Sequence, residues 1–215
     1  MKTVAFIPIK LNSQRLPHKN ILPIGNHPLC WYICDTISKV EGIDEVYVYC
    51  SDPSVSQYIP DNVKFLKRPK WLDENDIKGY DIYNEFINTV KADVYILAHT
   101  TSPFIKVSSI QNALSYVISG KNDSAFSAKR IQTFSWYNGK PINYSLEDVP
   151  RTQDISPVWV ETSAFYIFKR EILSIHHRRI GDNPFIQEVS EMEAIDIDEK
   201  EDYELAVMYE KMMEE

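Results

Sequence analysis

A short basic segment near the N-terminus carries the residues best suited to chemistry. Directly after an apolar run, KLNSQRLPHKN places three cations, Lys10, Arg15 and Lys19, among short polar side chains that include Asn12 and Ser13. Lysine and arginine neutralise phosphate oxygens, while hydroxyl, amide and exposed backbone N–H groups orient them. The glycine-rich motifs of P-loop and dinucleotide-binding proteins are absent. The segment predicts an anion site of another kind, although by itself it is equally compatible with a solvated surface loop.

A second candidate group is acidic and lies near the C-terminus. In IDIDEKED, Asp196 and Asp198 stand two residues apart at a predicted strand over 193–197, so their side chains point to one face. Carboxylate oxygens in this arrangement suit magnesium. The alternative is that Asp198 and Asp202 occupy the first turn of a helix, where the dipole favours anions and Asp202 can cap the helix. Because the dipole does not account for Asp196, we predict a magnesium site at Asp196 and Asp198.

Short apolar runs alternate with amphipathic helices along most of the chain. This alternation is typical of a parallel α/β sheet, in which ligands collect beyond the carboxyl ends of the strands. The basic segment follows the first strand and is therefore expected at that edge. The predicted strands are 3–9, 45–51, 63–66, 93–99, 123–128, 158–168 and 193–197, and the predicted helices are 28–40, 80–90, 108–119 and 200–213.

The composition of the sequence changes after Ala128, where a polar and aromatic stretch begins. Asn138-Gly139 lies between FSWY and PINY, which predicts a β-hairpin because that dipeptide favours the turn of a two-residue loop. A proline-bearing loop follows before the long strand 158–168 returns to the sheet. The stretch of about 130–157 is therefore interpreted as an insertion.

Several apolar and thiol side chains are predicted to pack in the core. The last helix carries an apolar stripe at helical spacing, two tryptophans lie within and just after the predicted insertion, and three cysteines have neither disulfide-framework nor metal-ligand spacing. These residues are Leu205, Met208, Tyr209 and Met212, then Trp136 and Trp159, and finally Cys30, Cys34 and Cys50 as buried, reduced thiols.

Composition restricts the possible classes of protein. The 215 residues are 44% hydrophobic and 25% charged, which predicts a single folded domain over 1–215. A net charge of −8 argues against general nucleic-acid binding. The first strand begins at Thr3 and no apolar stretch approaches the roughly 20 residues of a membrane span. We therefore expect a cytoplasmic protein without membrane or nucleic-acid partners.

The stretch IPIKLNSQRLPHKNI (7–21) resembles the N-terminal signature of the acylneuraminate cytidylyltransferases, the CMP-sialic acid synthetase family, which usually reads IPARxGSKRLPxKNI. The resemblance recurs in order further along the chain. The later matches are Arg68-Pro69, Thr101-Ser102-Pro103, Asp123-Ser124, Arg151 with Gln153-Asp154, and IDIDEKED (195–202).

This resemblance implies a fold and a reaction. The fold would be α/β, a three-layer Rossmann-like nucleotidyltransferase sheet, mostly parallel, with a small inserted dimerisation hairpin region at about 130–157 and a homodimer as the assembly. The reaction would transfer CMP from CTP to the anomeric hydroxyl of an acidic nonulosonic sugar, releasing pyrophosphate with the help of Mg²⁺. Such chemistry needs charge neutralisation and in-line positioning.

The resemblance also implies roles for individual residues. The nucleotide would be bound by Lys10, Asn12, Ser13, Arg15, Lys19, Asn20 and Arg68. The catalytic residues would be Lys19, Arg15 and Asp198, and the metal ligands Asp196 and Asp198. The sugar would be bound by His99, Thr101, Arg151, Gln153 and Thr162. Apart from the resemblance, Arg178 or Arg179 is a further candidate cation for the sugar carboxylate.

The chain departs from the family pattern at both halves of the implied site. In the loop, Lys10 replaces an arginine and Gln14 replaces a lysine, so the loop is less cationic, and a lysine cannot form the bidentate fork of arginine. At the sugar, His99 stands where the family has glutamine, and Thr162-Ser163 stands where it has Asn-Gly. These changes predict a sugar other than ordinary N-acetylneuraminate.

Two alternatives remain open at this point. An eight-carbon 3-deoxy-octulosonate cytidylyltransferase would share the fold and the terminal aspartate, although Thr101-Ser102-Pro103 resembles the acylneuraminate pattern better. A non-catalytic nucleotide-binding protein of the same fold would account for the altered loop at Lys10, Leu11 and Gln14.

Overall fold

The computed structural model describes residues 1–214, which contain a seven-stranded central sheet and two short hairpins. The sheet order is β11-β7-β10-β6-β1-β4-β5, and among these strands β10 runs antiparallel to both neighbours while the other pairs are parallel. The strands are β1 (Thr3–Pro8), β2 (Pro23–Ile24), β3 (His27–Pro28), β4 (Glu45–Cys50), β5 (Lys64–Lys67), β6 (Val94–Ala98), β7 (Ser124–Ile131), β8 (Trp136–Tyr137), β9 (Lys140–Pro141), β10 (Val158–Lys169) and β11 (Pro184–Glu188).

Helices cover both faces of the sheet and make a three-layer α/β fold. Alternate residues of β1 face opposite layers: Ala5 and Ile7 join the core under α1 and α3, and Val4 and Phe6 join the core under α2 and α4. The strands are buried on both sides and therefore read as continuous apolar runs. The helices are α1 (Leu29–Ser38), α2 (Gly79–Thr89), α3 (Val107–Ile118), α4 (Arg170–Ser174) and α5 (Lys200–Glu214).

The parallel strands bring four polar residues to one edge of the sheet. Lys10, Ser51, Arg68 and His99 each follow within two residues of the carboxyl end of β1, β4, β5 or β6. The antiparallel β10 contributes from its middle, where its pairing with β7 shifts register and Ser163 adopts a left-handed φ of 59°. A bulge of this kind re-aims the chain, and Ala164 O accepts a 3.1 Å hydrogen bond from the backbone N–H of His99.

Several predictions from the sequence are confirmed by the structure. The fold is α/β with a mostly parallel sheet, and the three cysteines are buried and unpaired. The hairpin of β8 and β9 turns at Asn138 and Gly139, whose φ angles of 49° and 74° are the positive values that a type I′ turn requires. Within residues 1–214, no helix combines the length and apolarity needed to cross a membrane.

Two predictions are wrong, and one strand was not predicted. The strand predicted at 193–197 does not form in the described chain, because the Glu193 carboxylate binds Ser190 and Ser109 and the chain turns there. The edge strand β11, which pairs with β7, was missed because its five residues carry little periodic signal. The core assignments fail for the exposed Leu205, Met208 and Met212, since α5 packs through Ala206 and the half-buried Tyr203, Val207 and Tyr209, and they fail for the exposed Trp136 and Trp159.

Candidate active site

A cleft of about 490 Å³ opens at the carboxyl edge of the sheet, between the loop after β1 and the end of β6. Parallel strands place their following loops at this edge, which is where open α/β sheets bind ligands. Most of the predicted nucleotide-binding residues line this cleft, together with two of the predicted sugar-binding residues. Its lining includes Lys10, Asn12, Ser13, Gln14, Arg15, Lys19, Asn20, Asn75, His99, Thr100 and Thr101.

Two cations of the basic loop converge on one carboxylate. Lys19 Nζ lies 2.9 Å from Asp198 Oδ1, and Arg15 Nη2 lies 2.9 Å from Asp198 Oδ2. Lys19 also donates to Ile197 O at 2.8 Å. Burial by itself raises the pKa of Asp198, but the hydrogen bonds and charges of Lys19 and Arg15 outweigh that effect and lower it. The predicted phosphate ligands and the predicted metal ligand are therefore paired with one another.

The third loop cation has a different partner. Lys10 Nζ donates to the backbone carbonyl of Asp73 and, at 3.3 Å, to Asn75 Oδ1. The Asp73 carboxylate in turn accepts hydrogen bonds from Ser51 and from Arg68, whose side chain is only 2% exposed. Asp73 thus anchors two of the predicted nucleotide-binding residues and draws together the ends of β1, β4 and β5.

Asn20 fixes the shape of the basic loop. Its Nδ2 donates to Lys10 O at 2.7 Å, and its Oδ1 accepts from Thr100 Oγ1 at 2.5 Å. Both side chains are buried, so the amide uses one donor and its acceptor without competition from water. Because Thr100 follows β6, this contact holds the loop after β1 against the neighbouring strand.

The acidic segment supplies one buried and one partly exposed carboxylate. Asp196 Oδ1 is buried and has no hydrogen-bond partner among residues 1–214. Burial raises the pKa of Asp196, and a side-chain hydrogen bond with Thr101 offsets part of that rise. Asp202 Oδ2 accepts from the backbone N–H groups of Asp198 and Glu199 at 3.0 and 2.8 Å, which makes it the cap of α5.

The pair of carboxylates fits a magnesium ion that is completed by a substrate. Magnesium commonly uses one or two carboxylates together with phosphate oxygens and waters. The unpartnered oxygen of Asp196 and the partly exposed Asp198 are the carboxylate groups that would supply such ligands. Asp196 lines a separate depression with Asp202 and Tyr209. Within the described chain no three histidine, cysteine or carboxylate groups converge as a complete metal site.

His99 lines the cleft directly after the carboxyl end of β6. Its Nδ1 is 2.6 Å from Ser163 O, and its ring packs edge-on to Tyr166 with 6.2 Å between centroids. A carbonyl oxygen only accepts, so Nδ1 carries the proton and Nε2 is left as an acceptor. Burial, assisted by the charge of Arg179, lowers the pKa of His99 and keeps the ring neutral at pH 7.

Three predicted sugar-binding residues have partners outside the cleft. Thr162 is buried between β10 and β7, where its hydroxyl donates to Ser127 Oγ at 2.9 Å. Arg151 is exposed and pairs with Asp154 at 2.8 Å. Gln153 is exposed in the short helical turn that follows Arg151. Of the predicted sugar contacts, the cleft is lined by His99 and Thr101.

The structure adds residues that the sequence patterns did not identify. Asp73 and Asn75 lie in an irregular acidic stretch more than 60 positions from Lys10, and their neighbours carry no recognisable motif. Tyr83 lies on α2 and lines a second depression of about 330 Å³ together with His99 and Lys10. Its helical apolar spacing indicated only core packing, so no local signal distinguished it.

Comparison with known proteins places these features in a family. The family model described as Cytidylyltransferase matches residues 4–214. An N-acylneuraminate cytidylyltransferase of Streptococcus agalactiae serotype III is 21% identical over 216 residues, covering 94% of this chain and 52% of that protein. A 3-deoxy-manno-octulosonate cytidylyltransferase of Escherichia coli is 31% identical over 114 residues, covering 53% of this chain and 45% of that protein. The chain therefore spans about half the length of these curated relatives.

A solved structure has a similar fold over the whole chain. A CMP:2-keto-3-deoxy-manno-octonic acid synthetase in complex with CTP superposes with a TM-score of 0.76 and 19% identity, covering 99% of this chain and 100% of that one. At this identity the similarity establishes the fold. Together with the family match over nearly every residue, it leads to one conclusion: the chain belongs to the cytidylyltransferase family.

Proposed function

We propose that this protein transfers CMP from CTP to the anomeric hydroxyl of an acidic nonulosonic sugar and releases pyrophosphate. The observation that carries the proposal is the convergence of Lys19 and Arg15 on Asp198 at one wall of the cleft. Membership of the cytidylyltransferase family supports the nucleotide and the reaction type. The similarity to acylneuraminate enzymes supports the sugar class.

The loop residues would act mainly by electrostatics and positioning. Phosphoryl transfer requires little covalent chemistry from the protein. The protein contributes mainly through cations that contact the phosphate oxygens and offset the negative charge growing on pyrophosphate. Lys19 and Arg15 would take this role, which is supported by their convergence at the cleft and by the contacts with which Asn20 holds their loop. Lys10 and Arg68, both anchored by Asp73, would bind the remainder of the nucleotide.

Asp196 and Asp198 would hold magnesium. A bound magnesium ion would neutralise phosphate oxygens and make the α-phosphorus more susceptible to attack. The described side chains favour this assignment because one oxygen of Asp196 is buried without a partner. When the phosphates of CTP pair with Lys19 and Arg15, Asp198 would lose its contacts with these two cations and could bind the ion instead.

A 3-deoxy-octulosonate is the second candidate sugar. It is favoured by the higher local identity, 31% over 114 residues, to the Escherichia coli enzyme of that name. It is disfavoured by Thr101-Ser102-Pro103, which resembles the acylneuraminate pattern. Both sugars carry a carboxylate on the anomeric carbon, so they place the same demands on the catalytic end of the cleft.

Pyrophosphate release tests the proposal and separates the candidates. The purified chain is incubated with CTP, Mg²⁺ and a panel of nonulosonic and octulosonic acids, with the Asp198→Asn variant as the inactive control. Release with a nonulosonic acid supports the proposal, and release only with the octulosonate favours the second candidate. CTP binding without release on any sugar would instead identify a non-catalytic nucleotide-binding protein.

We further propose that the protein forms a homodimer through its insertion. The segment of about 130–157 exposes several large apolar side chains, including Trp136, Tyr137 and Ile142. An exposed apolar patch of this kind is typical of an interaction surface. The mass of the protein by light scattering tests this proposal, and a monomer at micromolar concentration would contradict it.

A further inference from the structure

Arg179 is a cation at the His99 end of the site. Its guanidinium carbon lies 3.8 Å from the centroid of the Tyr166 ring, on which it stacks. Burial raises the pKa of Tyr83, and the positive charge of the nearby Arg179 offsets part of that rise. The same charge contributes to lowering the pKa of His99. Stacking on Tyr166 restricts the planar guanidinium, and a fixed orientation is the condition for bidentate recognition of an anion.

The charge of Arg179 is only weakly neutralised inside the protein. Its acidic neighbour, Glu161, lies 3.5 Å from Nη2, and Glu161 already accepts a 2.7 Å hydrogen bond from Tyr166. The Arg179 side chain is still 37% exposed. It faces a depression of about 330 Å³ that shares Tyr83 with the depression lined by His99. Part of its guanidinium is therefore exposed in a depression that borders the one lined by His99, and both residues contact the Tyr166 ring.

The space around Arg179 depends on a glycine. A Cβ placed on Gly79 would lie 2.8 Å from the Tyr83 hydroxyl, a distance that ordinary contacts do not reach. Gly79 also lines the Arg179 depression. The absence of a side chain at Gly79 thus leaves room for the Tyr83 hydroxyl at the boundary between the two depressions.

The other candidate cations for a carboxylate are paired elsewhere. Arg178 Nη1 makes a 2.8 Å ion pair with Asp182, and both side chains are exposed. Arg151 is paired with Asp154 in the insertion. Lys19 and Arg15 are committed to Asp198 and, in the proposed function, to the phosphates.

We propose that Arg179 binds the carboxylate of the acidic sugar while His99 Nε2 accepts the hydrogen bond of a neighbouring sugar hydroxyl. This inference rests on the proposed function for the identity of the ligand. In a nonulosonic acid the carboxylate and the reacting hydroxyl share the anomeric carbon, so an anchor for the carboxylate also orients the nucleophile. Arg179 would then determine selectivity for acidic over neutral sugars.

Binding of sugar acids and of their methyl esters tests the proposal, because the ester keeps the shape and removes the charge. N-acetylneuraminate, 3-deoxy-manno-octulosonate and both esters are titrated calorimetrically into the full chain, the Arg179→Gln and Arg179→Lys variants, and the matched neighbour Arg178→Gln. We expect the full chain to prefer at least one acid over its ester by about 10- to 100-fold, the range for a hydrogen bond to a charged group. Arg179→Gln should abolish that preference, Arg179→Lys should restore part of it, and Arg178→Gln should keep it.

Two further readouts separate a binding role from a structural one. Ester affinity should be unchanged in Arg179→Gln, whereas a collapsed pocket would weaken acid and ester alike. The pKa of His99, followed by NMR, should rise when the charge of Arg179 is removed. An undiminished acid preference in Arg179→Gln, or no acid preference in the unmodified chain, overturns the proposal. Pyrophosphate release is scored separately, so an Arg179-dependent acid preference without turnover would refute the proposed function alone.

Discussion

Replacing Asp198 by asparagine is expected to tighten CTP binding in the absence of divalent metal, although the same change abolishes metal-dependent turnover. In the protein without ligand, Asp198 competes with phosphate for Lys19 and Arg15. Asparagine removes the negative charge and leaves both cations available. It also removes a carboxylate ligand of the proposed metal. The affinity for CTP without metal should therefore rise while the metal-dependent turnover falls.

The magnitude follows from the exposure of the ion pair. The Lys19 side chain is 12% exposed and that of Asp198 is 37% exposed, which places the pair between a surface and a buried salt bridge. An energy near the upper end of the surface range, about 1 kcal/mol, corresponds to about a fivefold gain in CTP affinity. We assign no energy to the contact of Arg15, because its side chain is exposed.

Calorimetric titration of CTP with EDTA present measures this gain, and pyrophosphate release with Mg²⁺ measures the loss of turnover. Glu199→Gln is the matched control, because within residues 1–214 the Glu199 carboxylate contacts only Arg15, at 3.4 Å, so its removal should change metal-free CTP affinity much less. The variant should fold normally, since the Asp202 cap of α5 binds backbone N–H groups that remain. Unchanged or weaker metal-free CTP binding, or full activity with Mg²⁺, would refute the reasoning.

Three further predictions follow from other parts of the site and fold. His99→Gln should shift the preference among sugars more than the affinity for CTP, as measured by competing-substrate assays, and a change in CTP affinity alone would count against His99 as a sugar contact. Asp73→Asn should lower the free energy of unfolding in urea by about 2 kcal/mol, because Arg68 stays buried without its counter-charge, and it should weaken CTP binding; a fully stable variant would contradict the anchor role. The pKa of Glu45 is lowered to about 2 by hydrogen bonds from two lysines, so its stabilising effect is present above the unfolded pKa of about 4.3 and disappears as the pH falls through 2. Glu45→Gln should therefore lower the urea midpoint at pH 7 and have a much smaller effect near pH 2, where the folded-state carboxyl is half protonated, and an equal loss at both pH values would disprove this assignment.

Local sequence patterns predicted most of the fold. The apolar runs of β1 and β6 read as strands because both faces of each are buried, and the Asn138-Gly139 dipeptide identified its hairpin because few residues adopt positive φ without strain. The same reasoning failed for α5, where periodicity identified an amphipathic helix but assigned the wrong face to the core. Periodicity reports that apolar residues share a face, and burial depends on which neighbour covers that face.

The sequence by itself determined the basic loop and its place in the molecule, because three cations directly after a buried parallel strand must lie at the carboxyl edge of the sheet. Only the tertiary structure decided what those cations contact. Asp73 and Asp198 reach the loop from positions about 63 and 180 residues away along the chain, and Arg179 stacks on Tyr166, whose ring His99 also contacts. Such pairings are set by strand order and register over long sequence separations, and no local spacing encodes them.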